Sequence, residues 1–191
     1  MARRIGVLAL QGDFAKHAAM LTRLGATALE IRRERQLAGC DALILPGGES
    51  TTLTKLLDSY GFYEPIRDFA RRRPVMGTCA GAILAAREVD DPRVRPLNLI
   101  DISARRNAYG RQVDSFIAEV AAPCLPPPPR FRAIFIRAPQ IVRAGPETEV
   151  LIFLGPDPVM VRQENILALT FHPELTEDFR IHEYFLAMTR G

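Results

Sequence analysis

The sequence predicts an α/β fold: a mixed, mainly parallel central sheet with helices on both faces and extra antiparallel strands. Three observations predict it. In the first half, apolar runs of strand length alternate with stretches of helical periodicity, the pattern of parallel strands joined by crossover helices. Those runs are apolar throughout, as expected when a sheet is covered on both faces. In the second half, short β-rich runs follow one another, some with short connections, which adds antiparallel pairing.

Residues 5–10 form the first strand, and Asp13 is placed to cap a helix in which Phe14, Ala18, Leu21 and Leu24 share a face. Gly25 stops that helix. Residues 26–31 and 42–45 are the second and third strands, the latter entering Pro46-Gly47-Gly48. Ser50 or Thr51 opens a helix carrying Leu53, Leu56, Leu57 and Tyr60 on one face, and another helix covers 64–71. A short strand at 74–76 follows, and then β-rich runs at 97–103, 113–120, 131–136, 150–153, 159–162 and 166–171. The last helix, about 177–188, presents Phe179, Tyr184, Phe185 and Met188. Four prolines at 126–129 make a stiff surface connection, and strand-like sequence resumes directly after them, so one domain over 1–191 is expected.

At 191 residues with 48% hydrophobic content, the chain can bury a sizeable core and is too apolar to be disordered. No apolar run approaches the roughly 20 residues that span a bilayer, so no membrane association is expected. A net charge of +3 does not build a phosphate-binding face, and the basic runs at 32–35 and 71–73 lie apart without interleaved aromatics. Both read as solvated helix ends, and no nucleic-acid partner is expected. Cys40, Cys79 and Cys124 are odd in number and widely spaced, which fits neither a disulfide framework nor a paired zinc signature. The start lacks the longer apolar stretch of a secretory leader, and a reduced, cytoplasmic protein is expected.

Cys79 sits in Gly77-Thr78-Cys79-Ala80-Gly81, between an apolar strand and a helix-forming stretch. This is a nucleophile elbow with sulfur in place of the hydroxyl. The turn lifts the side chain above the strand ends, at a helix N-terminus whose partial positive charge favours thiolate. Read blandly, Cys79 is a small buried hydrophobe, and that reading is the one taken for Cys40 and Cys124. A thiolate forming an acyl intermediate needs a base and proton donor. Of three histidines, His172 ends a strand-like run and begins His172-Pro173-Glu174, where a two-residue spacing turns Glu174 to the same side as the imidazole. His17 and His182 fall on amphipathic helices and read as surface or packing residues. The pair Gly47-Gly48 brings backbone N–H groups close to a ligand, and Gly48 with Ala80 would form an oxyanion hole. The bland alternative there is a tight turn; the spacing of a nucleotide-binding loop is missing.

Together these elements resemble the triad glutamine amidotransferases (class I, flavodoxin-like), and most closely the glutaminase subunits of pyridoxal 5′-phosphate synthases. The carrying motifs are Leu8-Ala9-Leu10-Gln11-Gly12, Pro46-Gly47-Gly48-Glu49-Ser50-Thr51, Gly77-Thr78-Cys79-Ala80-Gly81, Arg106-Asn107-Ala108-Tyr109-Gly110-Arg111-Gln112, Phe135-Ile136-Arg137-Ala138-Pro139 and Phe171-His172-Pro173-Glu174-Leu175. The resemblance implies a flavodoxin-like three-layer sandwich, Cys79, His172 and Glu174 as catalytic triad, and a glutamine site formed by Gly47, Gly48, Glu49, Arg106, Ile136 and Arg137. It implies L-glutamine as substrate, no metal or other cofactor, and a (β/α)₈-barrel synthase as the partner that receives ammonia. By its chemistry Arg106 suits an α-carboxylate and Glu49 the positioning of the amino acid, the bland alternative for Arg106 and Arg137 being a surface ion pair; Gln11 would lie beside the site. The stretch 88–96 with Asp90-Asp91-Pro92, the proline run and Glu164 depart from the family pattern. Another cysteine hydrolase on this scaffold and a non-catalytic binding subunit are the alternatives.

Overall fold

The computed structural model describes residues 2–106 and 115–190. The first half holds β1 (Arg4–Leu8), α1 (Phe14–Arg23), β2 (Thr27–Ile31), β3 (Ala42–Leu45), α2 (Ser50–Ser59), α3 (Tyr63–Ala70), β4 (Val75–Thr78) and α4 (Ala80–Ala85). The second holds β5 (Ala86–Val89), β6 (Ile100–Arg105), β7 (Ser115–Ala121), β8 (Arg130–Ile136), β9 (Gln140–Ala144), β10 (Glu149–Leu154), β11 (Asp157–Gln163), β12 (Ile166–Leu169) and α5 (Arg180–Ala187).

A seven-stranded sheet runs in the order β10-β11-β12-β4-β3-β1-β2. The five strands from β12 to β2 are parallel, and β11 and β10 extend the sheet antiparallel. Read from the far edge, β2-β1-β3-β4-β12 is the flavodoxin strand order. The apolar runs split by alternation, as a two-residue period requires. Ile5 and Val7, Ala42 and Ile44, and Leu167 and Leu169 turn toward Leu21 of α1 and Ile181 and Phe185 of α5. Leu8, Leu43, Leu45, Ile166 and Ala168 turn the other way, toward Leu53 and Leu57 of α2 and Ile66 and Phe69 of α3. The result is the three-layer sandwich the sequence predicts. Each fully buried Leu or Ile contributes roughly 1.5–3 kcal/mol.

Beside β10 and β11, the second half holds two smaller sheets: β5-β6-β9, in which β5 pairs parallel and β9 antiparallel with β6, and the antiparallel pair β7-β8. Strands β5 and β9 were not expected. β5 continues from α4 with no breaker between them, and both strands are partly exposed, so neither shows a clean apolar period. Residues 113–114 of the expected 113–120 strand lie outside the described residues. The proline run is pinned rather than free: the Arg180 guanidinium donates to the carbonyls of Pro126 (2.6 Å), Pro128 and Arg130 (2.8 Å). Prolines lack N–H groups but keep full acceptor capacity, which this arginine uses. Among the described residues no helix is long and apolar enough to cross a membrane.

Candidate active site

The C-terminal ends of β1, β3, β4 and β12 converge, and the segments leaving them carry Gln11, Gly48, Cys79 and His172. These four, with Glu49, Ala80, Arg106, Ile136 and Arg137, line a cavity of about 460 Å³. Open α/β sheets bind ligands at this position, in the crevice beyond the strand ends.

Cys79 occupies the turn from β4 into α4 with φ 49° and ψ −108°, a backbone conformation that L side chains rarely adopt. Strain of this kind persists where the surroundings over-determine the turn. Its N–H donates to the Leu169 carbonyl at 2.8 Å, tying the turn to β12. Gly81 makes the turn possible, since a Cβ there would fall 1.9 Å from the Leu45 carbonyl oxygen. The Cys79 thiol lies 3.8 Å from the Ile136 carbonyl oxygen. Cys40 and Cys124 stand elsewhere, and burial raises both thiols above their ordinary value, leaving them protonated and inert.

His172 follows β12, anchored by its N–H to the Ile134 carbonyl at 2.8 Å. Its Nδ1 lies 2.7 Å from Oε1 of Glu174, which sits in the 3₁₀ turn Pro173–Leu175. Both side chains are almost wholly buried. Burial alone would push the imidazole down, but the Cys79 sulfur and the Glu174 carboxylate outweigh it and lift His172 to about 10. Burial opposes ionisation of Glu174 as well, yet His17 and His172 hold it below the usual carboxylate value. The second ring nitrogen of His172, Nε2, has no hydrogen-bond partner among the described residues. Gly47 stands against this ring: a Cβ there would lie 2.5 Å from His172 Cε1 and 3.4 Å from Cys79 Cβ. Gly47 and Glu174 therefore shape the cavity from behind without lining it.

Helix α2 opens at Ser50, as the sequence predicts, and Glu49 is its N-cap. Its carboxylate accepts from the Thr51 and Thr52 N–H groups at 3.2 and 2.7 Å and from both hydroxyls. Against the effect of burial, these four donors lower its pKa to about 2. Arg106 reaches the same carboxylate at 3.0 Å and also pairs with Asp91, which in turn holds Arg93. The unusual 88–96 stretch thus supplies a counter-ion for Arg106, a role its sequence did not reveal. Gln11 Oε1 accepts from the Glu49 N–H at 2.9 Å. Asn107 to Gln112 of the arginine motif lie outside the described residues. His17 and His182, expected at the surface or in ordinary packing, are fully buried behind Glu174. Their spacing from apolar neighbours such as Met20, Leu21 and Phe185 signals burial, but the partners lie too far along the chain to be read from it. Asp13, His172 and Glu174 bring ligand-type atoms within 4.8 Å of one another, with His172 and Glu174 already joined by their hydrogen bond.

The pyridoxal 5′-phosphate synthase subunit PdxT of Desulforudis audaxviator is 49% identical over 96% of this chain and 97% of its own. That of Dehalococcoides mccartyi (strain 195) is 51% identical over 98% of this chain and 97% of its own. A crystal structure described as a glutamine amidotransferase superposes with a TM-score of 0.92 at 46% identity, covering 98% of this chain and 99% of that one. Residues 7–190 match the SNO glutamine amidotransferase family, and the chain belongs to that family.

Proposed function

We propose that this chain is the glutaminase subunit of a pyridoxal 5′-phosphate synthase. It hydrolyses the side-chain amide of L-glutamine to L-glutamate and ammonia, and the ammonia passes to the synthase subunit for vitamin B6 biosynthesis. The observation that carries the mechanism is the meeting, in one cavity, of a cysteine on a strained elbow and a histidine backed by a buried carboxylate.

Cys79 Sγ attacks the amide carbon, forming the bond to sulfur while the carbonyl electrons move onto oxygen. The backbone N–H groups of Gly48 and Ala80 hold that oxyanion, and each such donor is worth about 3–4 kcal/mol of transition-state stabilisation. His172 gives a proton from Nε2 to the departing nitrogen, so ammonia leaves and a γ-glutamyl thioester remains. The same nitrogen then takes a proton from water, whose oxygen displaces the sulfur to give glutamate. Glu174 fixes the imidazole and stabilises its charged form. Arg106 binds the α-carboxylate of glutamine, and Glu49, Ile136 and Arg137 complete the subsite with Gly47 and Gly48. No step calls for a metal or other cofactor.

Ammonia released into water becomes mostly ammonium, a poor nucleophile, so a biosynthetic glutaminase benefits from direct transfer. The partner is a (β/α)₈-barrel synthase, and docking orders the Gly47-Gly48 loop and raises activity. The chain acts as one amidotransferase domain, and its three unpaired cysteines suit the reducing cytoplasm. The test compares glutamine hydrolysis by wild type and Cys79→Ala, each mixed with the cognate synthase. Loss of hydrolysis with complex formation retained is expected; hydrolysis surviving in Cys79→Ala overturns the mechanism, and equal wild-type rates with and without synthase overturn activation by docking. A substrate panel separates this reading from another cysteine hydrolase on the same scaffold.

A further inference from the structure

Glu174 has two carboxylate oxygens, and the mechanism above uses one. Oε1 meets His172, while Oε2 lies 3.3 Å from Nε2 of His17. The same His17 nitrogen is 3.1 Å from Oγ1 of Thr78, the residue just before Cys79. On the other side of the ring, His17 Nδ1 is 3.0 Å from His182 Nε2. All of these groups are buried, and none of His17, Thr78 and His182 lines the cavity. A chain of polar atoms therefore runs from α5 through α1 to the back of the His172–Glu174 pair.

Proton positions along it follow from counting donors. Burial keeps both rings neutral, pulling His17 below its ordinary value against Glu174 and Asp13, and His182 down to about 3. A neutral imidazole has one N–H. If His17 carried it on Nδ1, its Nε2 lone pair would face the Glu174 carboxylate. His182 would then carry its own proton on Nδ1, which has no acceptor among the described residues. An unsatisfied buried donor and a lone pair against an anion are both unfavourable. The opposite order removes both faults. His182 Nε2–H donates to His17 Nδ1, His17 Nε2–H donates to Thr78 Oγ1, and only a bare lone pair remains on His182. The His17 N–H edge then faces Glu174 Oε2, an electrostatic contact rather than an aligned hydrogen bond.

We propose that His17, fixed in its Nε2–H tautomer by His182, is a positioning residue that keeps Glu174 anionic and turned so that Oε1 stays on His172. The proposal rests on the reading of His172 as the acid–base group of glutamine hydrolysis. Among the described residues, the charged and titratable groups around Glu174 are His172 from its own segment, His17 of α1 with Asp13 just ahead of that helix, and His182 of α5. Of these, Asp13 alone disfavours the anion.

The test uses the glutaminase assembled with its synthase. His17→Phe is expected to lower kcat about tenfold or more, the worth of one interaction with a charged group. KM should stay within about twofold, since His17 does not reach the cavity, and the acid limb of kcat/KM should move to higher pH. His17→Gln, which can present an N–H in the same direction, should recover most of the loss. His17→Phe with wild-type kcat and acid limb overturns the proposal. So does His17→Gln no better than His17→Phe when both melt like wild type. Nitrogen-15 spectra of the wild-type imidazoles decide the matter even if the variants fail to fold. His17 should be neutral with Nε2 protonated from about pH 7 to 9, and an Nδ1–H tautomer or an imidazolium there overturns the proposal. A wild-type complex that leaves glutamine intact would overturn the functional reading while leaving this tautomer result standing.

Discussion

Arg106 is shared by two carboxylates of its own chain, Glu49 and Asp91. In the glutamine site proposed above, the substrate α-carboxylate competes with them for the same five N–H donors. Asp91→Asn removes one competing charge and keeps an acceptor oxygen, so KM for glutamine should fall a few-fold with kcat unchanged, the scale of one partly solvated ion pair. Steady-state kinetics of the synthase-bound enzyme check this. Gly47→Ala acts on the other side of the cavity. Its methyl group would sit 2.5 Å from His172 Cε1, so the ring must move, and a displacement near 1 Å costs about a hundredfold in rate. Glutaminase turnover should drop on that scale while circular dichroism stays that of wild type. The site residues differ in how legible they were. Cys79, Gly48, His172 and Glu174 stand in short motifs because the turn geometry that aims them needs their immediate neighbours. Asp91 and the two buried histidines act on partners 15 and 165 residues away, and no local pattern encodes such contacts.

The hairpin between β11 and β12 turns through two residues, Glu164 and Asn165, with Gln163 opposite Ile166. Glu164 sits at φ 51°, in the left-handed region where a Cβ is unfavourable by about 1–2 kcal/mol. Asn165 locks the turn by donating to the Ala70 and Arg73 carbonyls at 2.7 and 2.8 Å. Glu164→Gly should therefore raise stability by about 1 kcal/mol, after the extra freedom of the unfolded glycine is counted. Urea unfolding measures it, and a loss of stability would contradict the turn geometry. Elements were legible in proportion to their burial. β1, β3, β4 and β12 are almost wholly buried parallel strands, and their apolar runs announce them. Helix α2 opens at Ser50 as expected, while its cap was not read from the sequence: the Glu49 carboxylate reaches the helix N–H groups.

Buried titratable groups give the molecule a pH profile with a definite sign. Unfolded His182 takes a proton near 6.5, whereas the folded protein refuses it until about 3, and His17 is shifted in the same direction. In that window the unfolded chain binds more protons, so stability is lost as pH falls below 6.5. Glu174 and Glu49, held below 4.5, contribute fully above that value and deepen the loss as pH falls further, Glu49 toward about 2. His172 works in the opposite sense: its contribution is complete below 6.5 and is lost as pH rises through about 10. Melting temperature should peak near pH 6.5 and decline on both sides, each group adding at most about 1.4 kcal/mol per pH unit. A melting temperature that climbs between pH 6.5 and 5 would contradict neutral burial of the two histidines.

β12 lies between β11 and β4, so a strand made late in synthesis closes the middle of the sheet and delivers His172 to a cysteine encoded 93 positions earlier. Residues 166–172 supply the strand that joins β11 to β4 and the imidazole that faces Cys79, so a nascent chain lacking them lacks both. Under the mechanism proposed above, a translation product interrupted before His172 consumes no glutamine.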